Sequence, residues 1–194
     1  MNQSLLSILS PLYNADFFKN PTQEVIQTFE RDGILVLENL LSKEALKTLE
    51  TEADNLKPEA YRSRSEYNLY VLPPDPNFSP KSPRNRLFST TKGCIADDQI
   101  PADSYLRVLY DSPLFREFLS KVLDLPKLYP YADKLSPINI NYYDEGDSLE
   151  WHFDNSDFAI TLFIKACEQG VNMNTSPMFA MIATEMRIMN VLGR

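Results

Sequence analysis

The chain has 194 residues, of which 43% are hydrophobic and 24% charged, and this balance predicts a single globular domain. The net charge of −8 argues against nucleic acid or a membrane as partner, but leaves room for a small anionic ligand. No run approaches the roughly 20 apolar residues that cross a bilayer, and the N-terminus lacks the basic start of a signal peptide. Two cysteines match no metal-binding spacing, so a reducing, cytoplasmic setting is expected.

The first third of the chain predicts helices around one short strand. Residues 1–20 are expected to form an N-terminal extension. Thr22 is expected to cap a helix over 23–32, which a glycine ends. A buried strand over 33–40 follows, and Ser42 then caps a second helix whose apolar residues recur at helical spacing.

The middle of the chain predicts a long loop and two more helices. Residues 57–85 are rich in proline and polar side chains, which is typical of a lid or a disordered segment. Helices are predicted over 103–111 and 112–123. The second has Ser112 as cap and Pro113 at its first position, where proline fits best.

Strand character begins at Ser136. Ile138, Ile140 and Tyr142 alternate with Asn139, Asn141 and Tyr143, so the two sets lie on opposite faces of one strand. A turn (DEGD), a second strand segment and an apolar strand over 158–165 follow. Helices first and strands last predict the α+β class. Buried amides need partners, so the asparagine face is expected to line a polar cavity.

His152 is the only histidine in the chain, and Asp154 lies two residues beyond it. In an extended chain this spacing puts both side chains on one side, where they would chelate one metal ion. Two histidines and one carboxylate are the ligand set of non-haem iron(II) oxygenases. The tripeptide alone favours a structural histidine that is hydrogen-bonded to a nearby carboxylate, and its context in the chain shifts the balance.

Four segments resemble the iron(II)- and 2-oxoglutarate-dependent oxygenases near the free amino-acid halogenases and hydroxylases. They read RDGILVLENLLSKEALKTL, GCIADDQIPADSYLRVLYDSPLFREFL, LYPYADKLSPININ and WHFDNSDFAITLFIK. The resemblance implies N-terminal helices packed on a partial double-stranded β-helix (jelly roll). It also implies iron(II) as cofactor, 2-oxoglutarate as cosubstrate and a small polar substrate such as a free amino acid.

The resemblance also implies roles for individual residues. His152 and Asp154 match the first two iron ligands, and a carboxylate at the second position fits hydroxylation rather than halogenation. Asn139, Asn141 and Tyr143 would line the cosubstrate pocket. For the substrate, Arg84 or Arg86 would meet a carboxylate, unless solvation alone explains these arginines, and Trp151 would wall the pocket, unless it is an ordinary core residue.

The family pattern also requires a distal histidine and an arginine that binds 2-oxoglutarate, and neither has a counterpart here. Residues 21–170 are therefore expected to be an incomplete oxygenase domain that is inactive in this form. The alternative is a non-catalytic jelly-roll binding protein or a pseudogene product. The oligomeric state is left open.

Residues 171–194 hold five of the six methionines. Methionine has a single codon, which ends in G. In a shifted reading frame this G becomes the first base of a codon, so every methionine fixes one base of the shifted sequence. A consistent choice of free bases then spells EYEYVPNVRDDRDGNENYERV, a segment of the kind the family carries at this place. We therefore expect an aberrant tail that is out of frame; the alternative is a surface helix.

Overall fold

The computed structural model describes residues 4–150, 152 and 157–165, and the backbone of 185–190. Its helices and strands are interspersed along the chain. They are α1 (Leu5–Ile8), α2 (Ala15–Lys19), α3 (Gln23–Asp32), β1 (Ile34–Glu38), α4 (Lys43–Leu56), β2 (Tyr61–Asn68), β3 (Leu87–Ile95), α5 (Tyr105–Tyr110), α6 (Pro113–Val122), β4 (Ile140–Tyr142), β5 (Phe158–Leu162) and β6 (Glu185–Asn190). Over these described ranges, each helix is too short or too polar to cross a membrane.

The predicted helix starts are confirmed by side-chain caps. Thr22 Oγ1 accepts the backbone N–H of Val25 at 3.3 Å, and Ser112 Oγ accepts that of Phe115 at 3.2 Å. Such caps satisfy N–H groups that have no partner inside the helix. Gly33 ends α3 with φ of 68°, a left-handed conformation that suits glycine.

The strands form two antiparallel three-stranded sheets, in the orders β1–β6–β5 and β2–β3–β4. Together with the helices they confirm the mixed helix and strand class. Within the tail, residues 185–190 form a strand, so a helix is wrong for them, and this strand pairs with both β1 and β5. The tail therefore provides the pairing partner of β5.

The N-terminal helices belong to the hydrophobic core. Ile8 is 1% exposed and Phe18 is fully buried. The ring of Phe18 meets those of Phe17 and Phe118 edge-on, with centroids 5.2 and 5.3 Å apart. The residues predicted as an extension therefore pack against α6 through an aromatic cluster.

The long loop predicted over 57–85 is wrong in its first part, because β2 occupies Tyr61–Asn68 and pairs with β3 along its whole length. The rest, residues 69–86, is ordered by two buried asparagines. Asn68 accepts the N–H groups of Tyr70 and Leu72 and donates to the Leu72 carbonyl. Asn85 binds Asp75 through both its amide oxygen and its amide nitrogen, at 2.8 Å each.

Candidate functional site

The two faces of the β2–β3–β4 sheet differ. One face packs on the core through Ile95 and Ile140 and also carries the charged residues of β2. On this face the Tyr142 hydroxyl donates to the carbonyl of Ala53 in α4 at 2.8 Å. The other side is here called the polar face. Its members follow from the strand register: Tyr61, Ser63, Ser65, Tyr67, Phe88, Thr90, Lys92, Cys94, Asn139, Asn141 and Tyr143.

Both asparagines predicted for the cosubstrate pocket lie on the polar face and are exposed. Asn141 is the register partner of Cys94. The thiol of Cys94 donates to Asn139 Oδ1 at 3.7 Å, and the Asn139 amide donates to the Ser136 carbonyl at 3.5 Å. The alternation read from the sequence is therefore the geometry of the sheet.

Tyr143, the third predicted member, lies at the end of the same row. Burial raises the pKa of its hydroxyl to about 12, with smaller contributions from Tyr67 and Cys94. The phenol is therefore a neutral hydrogen-bond donor at physiological pH.

A charged clamp holds the turn that follows β4. Arg62 lies over Gly93, where an added Cβ would come within 3.1 Å of its guanidinium. From there it donates to Asp144 Oδ2 at 3.1 Å and also pairs with Asp147. Asp147 accepts the N–H of Asp144 as well, and this bond lowers the pKa of Asp147 ahead of the contribution from Arg62. The clamp fixes the position at which the chain pairs with β3 again after the turn.

Three hydrogen bonds connect this turn to His152. The N–H of Thr91 donates to the Ser148 carbonyl at 3.0 Å, so the chain again runs antiparallel to β3. The N–H of Glu150 then donates to Thr90 Oγ1 at 3.1 Å. Finally, Nδ1 of His152 lies 2.7 Å from the Glu150 carbonyl oxygen. Since a carbonyl only accepts, Nδ1 carries the proton, and in the neutral ring the lone pair is on Nε2.

Tyr67 connects His152 to the polar face. Its ring meets the imidazole edge-on, with centroids 5.6 Å apart. Its hydroxyl forms a short hydrogen bond with Thr90 Oγ1. Among the described residues, the half-buried histidine has a ring contact to Tyr67 and a hydrogen bond to the Glu150 backbone, and both partners are hydrogen-bonded to Thr90.

The two arginines predicted for the substrate lie in the ordered loop before β3. The Arg84 guanidinium lies 5.5 Å from the Tyr70 ring centroid and donates to the Pro73 carbonyl at 3.1 Å. Its other terminal nitrogen is buried and has no hydrogen-bond partner among the described residues. Arg86 is exposed and lies over the ring of Phe88 at 5.2 Å.

The remaining predicted residues, Trp151 and Asp154, lie outside the described residues. Within the part of the chain that the structure describes, no three His, Cys, Asp or Glu side chains converge on a point where a metal would bind. His152 is therefore the one predicted metal ligand that lies among the described residues.

Sequence reasoning missed the supports of the histidine: Arg62, Tyr67, Thr90 and Gly93. A signal was available in YRSRSEYN, where tyrosines and serines alternate with charged residues as in a strand that is polar on both faces. The prolines that follow obscured it.

Comparison with known proteins bears on most of the chain. A family model described as Halogenase D matches residues 17–193, which include β1 to β6 and most of the tail. No curated protein matches the chain. A match over this share of the sequence includes both sheets, the clamp and His152. The chain therefore belongs to the Halogenase D family.

Proposed function

We propose that this fold serves an iron(II)- and 2-oxoglutarate-dependent oxygenase of the hydroxylase type, acting on a small polar substrate such as a free amino acid. Membership of the Halogenase D family and the four resembling segments support this reaction class. The observation that carries it is the bond from His152 Nδ1 to the Glu150 carbonyl. Metal-binding histidines usually donate their second ring N–H in this way, which directs the other nitrogen to the metal.

The proposed metal ligands are His152 and Asp154. Iron(II) with 2-oxoglutarate would supply the oxidising chemistry, and the chain's own residues would hold and orient the reactants. Asn139, Asn141 and Tyr143 would donate hydrogen bonds to 2-oxoglutarate. The substrate would meet Arg84 or Arg86 and Trp151, since an arginine guanidinium pairs well with a carboxylate.

One histidine in 194 residues leaves the proposed ligand set with a single imidazole. Metal binding and catalytic turnover are therefore two separate properties of this chain. This chain is expected to hold a divalent metal weakly and to lack oxygenase activity. The jelly-roll architecture is part of the proposal, and the two antiparallel sheets are compatible with it.

The single histidine makes metal binding simple to observe. Co(II) would be titrated into the folded protein labelled with ¹⁵N-histidine, whose ring signals belong to His152 alone. We expect those signals to shift or broaden at lower Co(II) concentrations in the wild type than in Asp154→Asn. Asp157→Asn is the matched control, because Asp157 is an exposed carboxylate nearby with no assigned role. Equal responses of all three proteins would refute the metal site.

The second candidate is a non-catalytic binding protein built on the same fold. The single histidine and the lack of a three-residue metal cluster among the described residues favour it. A well-folded sample in which Co(II) leaves the ¹⁵N signals unchanged would support this candidate. Succinate formation from 2-oxoglutarate with iron(II) would instead show turnover and overturn the expected inactivity.

The shifted reading frame over residues 171–194 is also kept as a proposal. It is supported by five methionines in 24 residues and by the family-like segment that another frame spells. Sequencing the transcript through codon 170 tests it. An open second frame encoding a histidine and an arginine further on would support the proposal, and a transcript without one would refute it.

A further inference from the structure

The hydroxyl of Thr90 is bonded to two groups that both act on His152. It accepts the N–H of Glu150 at 3.1 Å, and it shares a short hydrogen bond with the Tyr67 hydroxyl. Thr90 itself is 4% exposed, so these bonds are shielded from water. Shielding makes a hydrogen bond harder to replace with solvent when its partner is removed.

Thr90 and His152 bind the two peptide groups on either side of the Glu150 Cα. The Glu150 carbonyl receives the Nδ1 proton of His152, while the Glu150 N–H donates to Thr90. Holding the N–H of Glu150 therefore restrains, through the backbone of this one residue, the direction of the carbonyl that selects the tautomer. Tyr67 adds a second restraint, because its ring meets the imidazole edge-on.

We propose that Thr90 is a positioning residue that sets the tautomer and orientation of His152 through the backbone of Glu150. The role deepens the proposed function, because it makes Nε2 the metal-binding nitrogen. Thr90 would touch neither metal nor substrate. Tyr67 assists by restraining the Thr90 hydroxyl and the imidazole together.

The test reads the tautomer directly. In ¹⁵N-histidine-labelled protein at pH 8, long-range ¹H–¹⁵N spectra show which ring nitrogen is protonated, and all signals come from His152. We expect the proton on Nδ1 in the wild type. Thr90→Val keeps the shape but lacks the hydroxyl, and we expect it to give a mixture with Nε2–H. Thr90→Ser restores the hydroxyl and is expected to restore the Nδ1–H form.

Ser89→Ala is the matched control, since Ser89 lies next in the same strand and its hydroxyl binds Arg64 instead. This variant should keep the wild-type tautomer. Co(II) affinity should fall roughly tenfold in Thr90→Val, the lower end of the usual effect of changing a support of a metal ligand. A wild-type tautomer in Thr90→Val, or a Thr90→Ser variant that behaves like Thr90→Val, would overturn the inference.

Two further outcomes are distinguishable. If Thr90→Val does not fold, Thr90→Ala decides, because it also removes the hydroxyl and places no methyl group against the N–H of Glu150. A changed tautomer balance in that variant supports the inference, and unchanged ¹⁵N shifts overturn it. If Co(II) leaves wild-type His152 unaffected while the tautomer still depends on Thr90, the metal site fails and the positioning of His152 by Thr90 stands.

Discussion

Replacing Phe18 tests whether the N-terminal helices are part of the domain. Phe18 lies in α2 and is fully buried. Its ring contacts Phe17 and Phe118 edge-on, with centroids 5.2 and 5.3 Å apart, and that of Phe115 at 6.1 Å. Phe18→Ala would empty the middle of this cluster and leave a cavity between α2 and α6.

The expected cost follows from complete burial. A phenylalanine-to-alanine change in a core costs about 3–5 kcal/mol, as lost transfer free energy plus an unfilled cavity. Natural domains are stable by only about 5–15 kcal/mol, so much of the total is removed. With a urea m-value of roughly 2–3 kcal/mol/M for a chain of this size, the unfolding midpoint would fall by about 1–2 M.

Urea unfolding followed by circular dichroism measures the effect. Leu12→Ala is the matched control, because Leu12 belongs to the same segment but is 68% exposed. Its free energy of unfolding should change by less than about 0.5 kcal/mol. Phe18→Leu gives a milder loss of about 1–2 kcal/mol if the alanine variant does not fold. Equal midpoints for Phe18→Ala and Leu12→Ala would refute the packing of α2 into the core.

Three further changes test local contacts, each by urea midpoints. Ser112→Ala removes the cap of α6 and should cost about 1 kcal/mol, whereas Ser112→Asn retains an acceptor and should cost less. Burial raises the pKa of Glu52, so its charge destabilises the fold increasingly as pH rises through the folded pKa. Glu52→Gln should therefore be more stable than the wild type at pH 7, with the difference vanishing near pH 4. Asp147 has a lowered pKa, so its stabilisation is present above the unfolded pKa of about 3.9 and is lost as pH falls through the folded value. Asp147→Asn should lower the unfolding midpoint at pH 7, and between pH 5 and pH 2 its midpoint should fall less than that of the wild type. If Glu52→Gln or Asp147→Asn gives a pH profile parallel to that of the wild type, the role of that carboxylate is refuted.

Helix starts were predictable because the groups that form them are close in sequence. Thr22 and Ser112 each bond an N–H three residues on, and both residue types favour that position. The φ of Gly33 is likewise a local property, since a left-handed residue after a helix favours glycine. Interactions between residues that are close in sequence can therefore be predicted from short sequence patterns.

Strand β2 could not be recognised by the same means. Its charged residues Arg62 and Arg64 alternate with Ser63 and Ser65, so neither face carries the apolar pattern that marks a strand. What stabilises it is pairing with β3, whose partner residues lie about twenty to thirty positions further along. The α2 aromatic cluster has the same origin, because its partner in α6 is a hundred residues away.

The candidate site likewise combines features that short sequence patterns predict with contacts between residues far apart in sequence. His152 and Asp154 follow from a two-residue spacing, and the polar face follows from alternation within one strand. The supports of His152 do not, because Thr90 reaches Glu150 across sixty residues and Arg62 reaches Asp144 across more than eighty. Gly93 is the clearest case: a Cβ there would lie 3.1 Å from the Arg62 guanidinium, so alanine would push away the side chain that holds the turn before His152. In the sequence this residue is a glycine inside a strand, and the close approach of Arg62 and of Ala60, whose Cβ would lie 3.3 Å away, explains it.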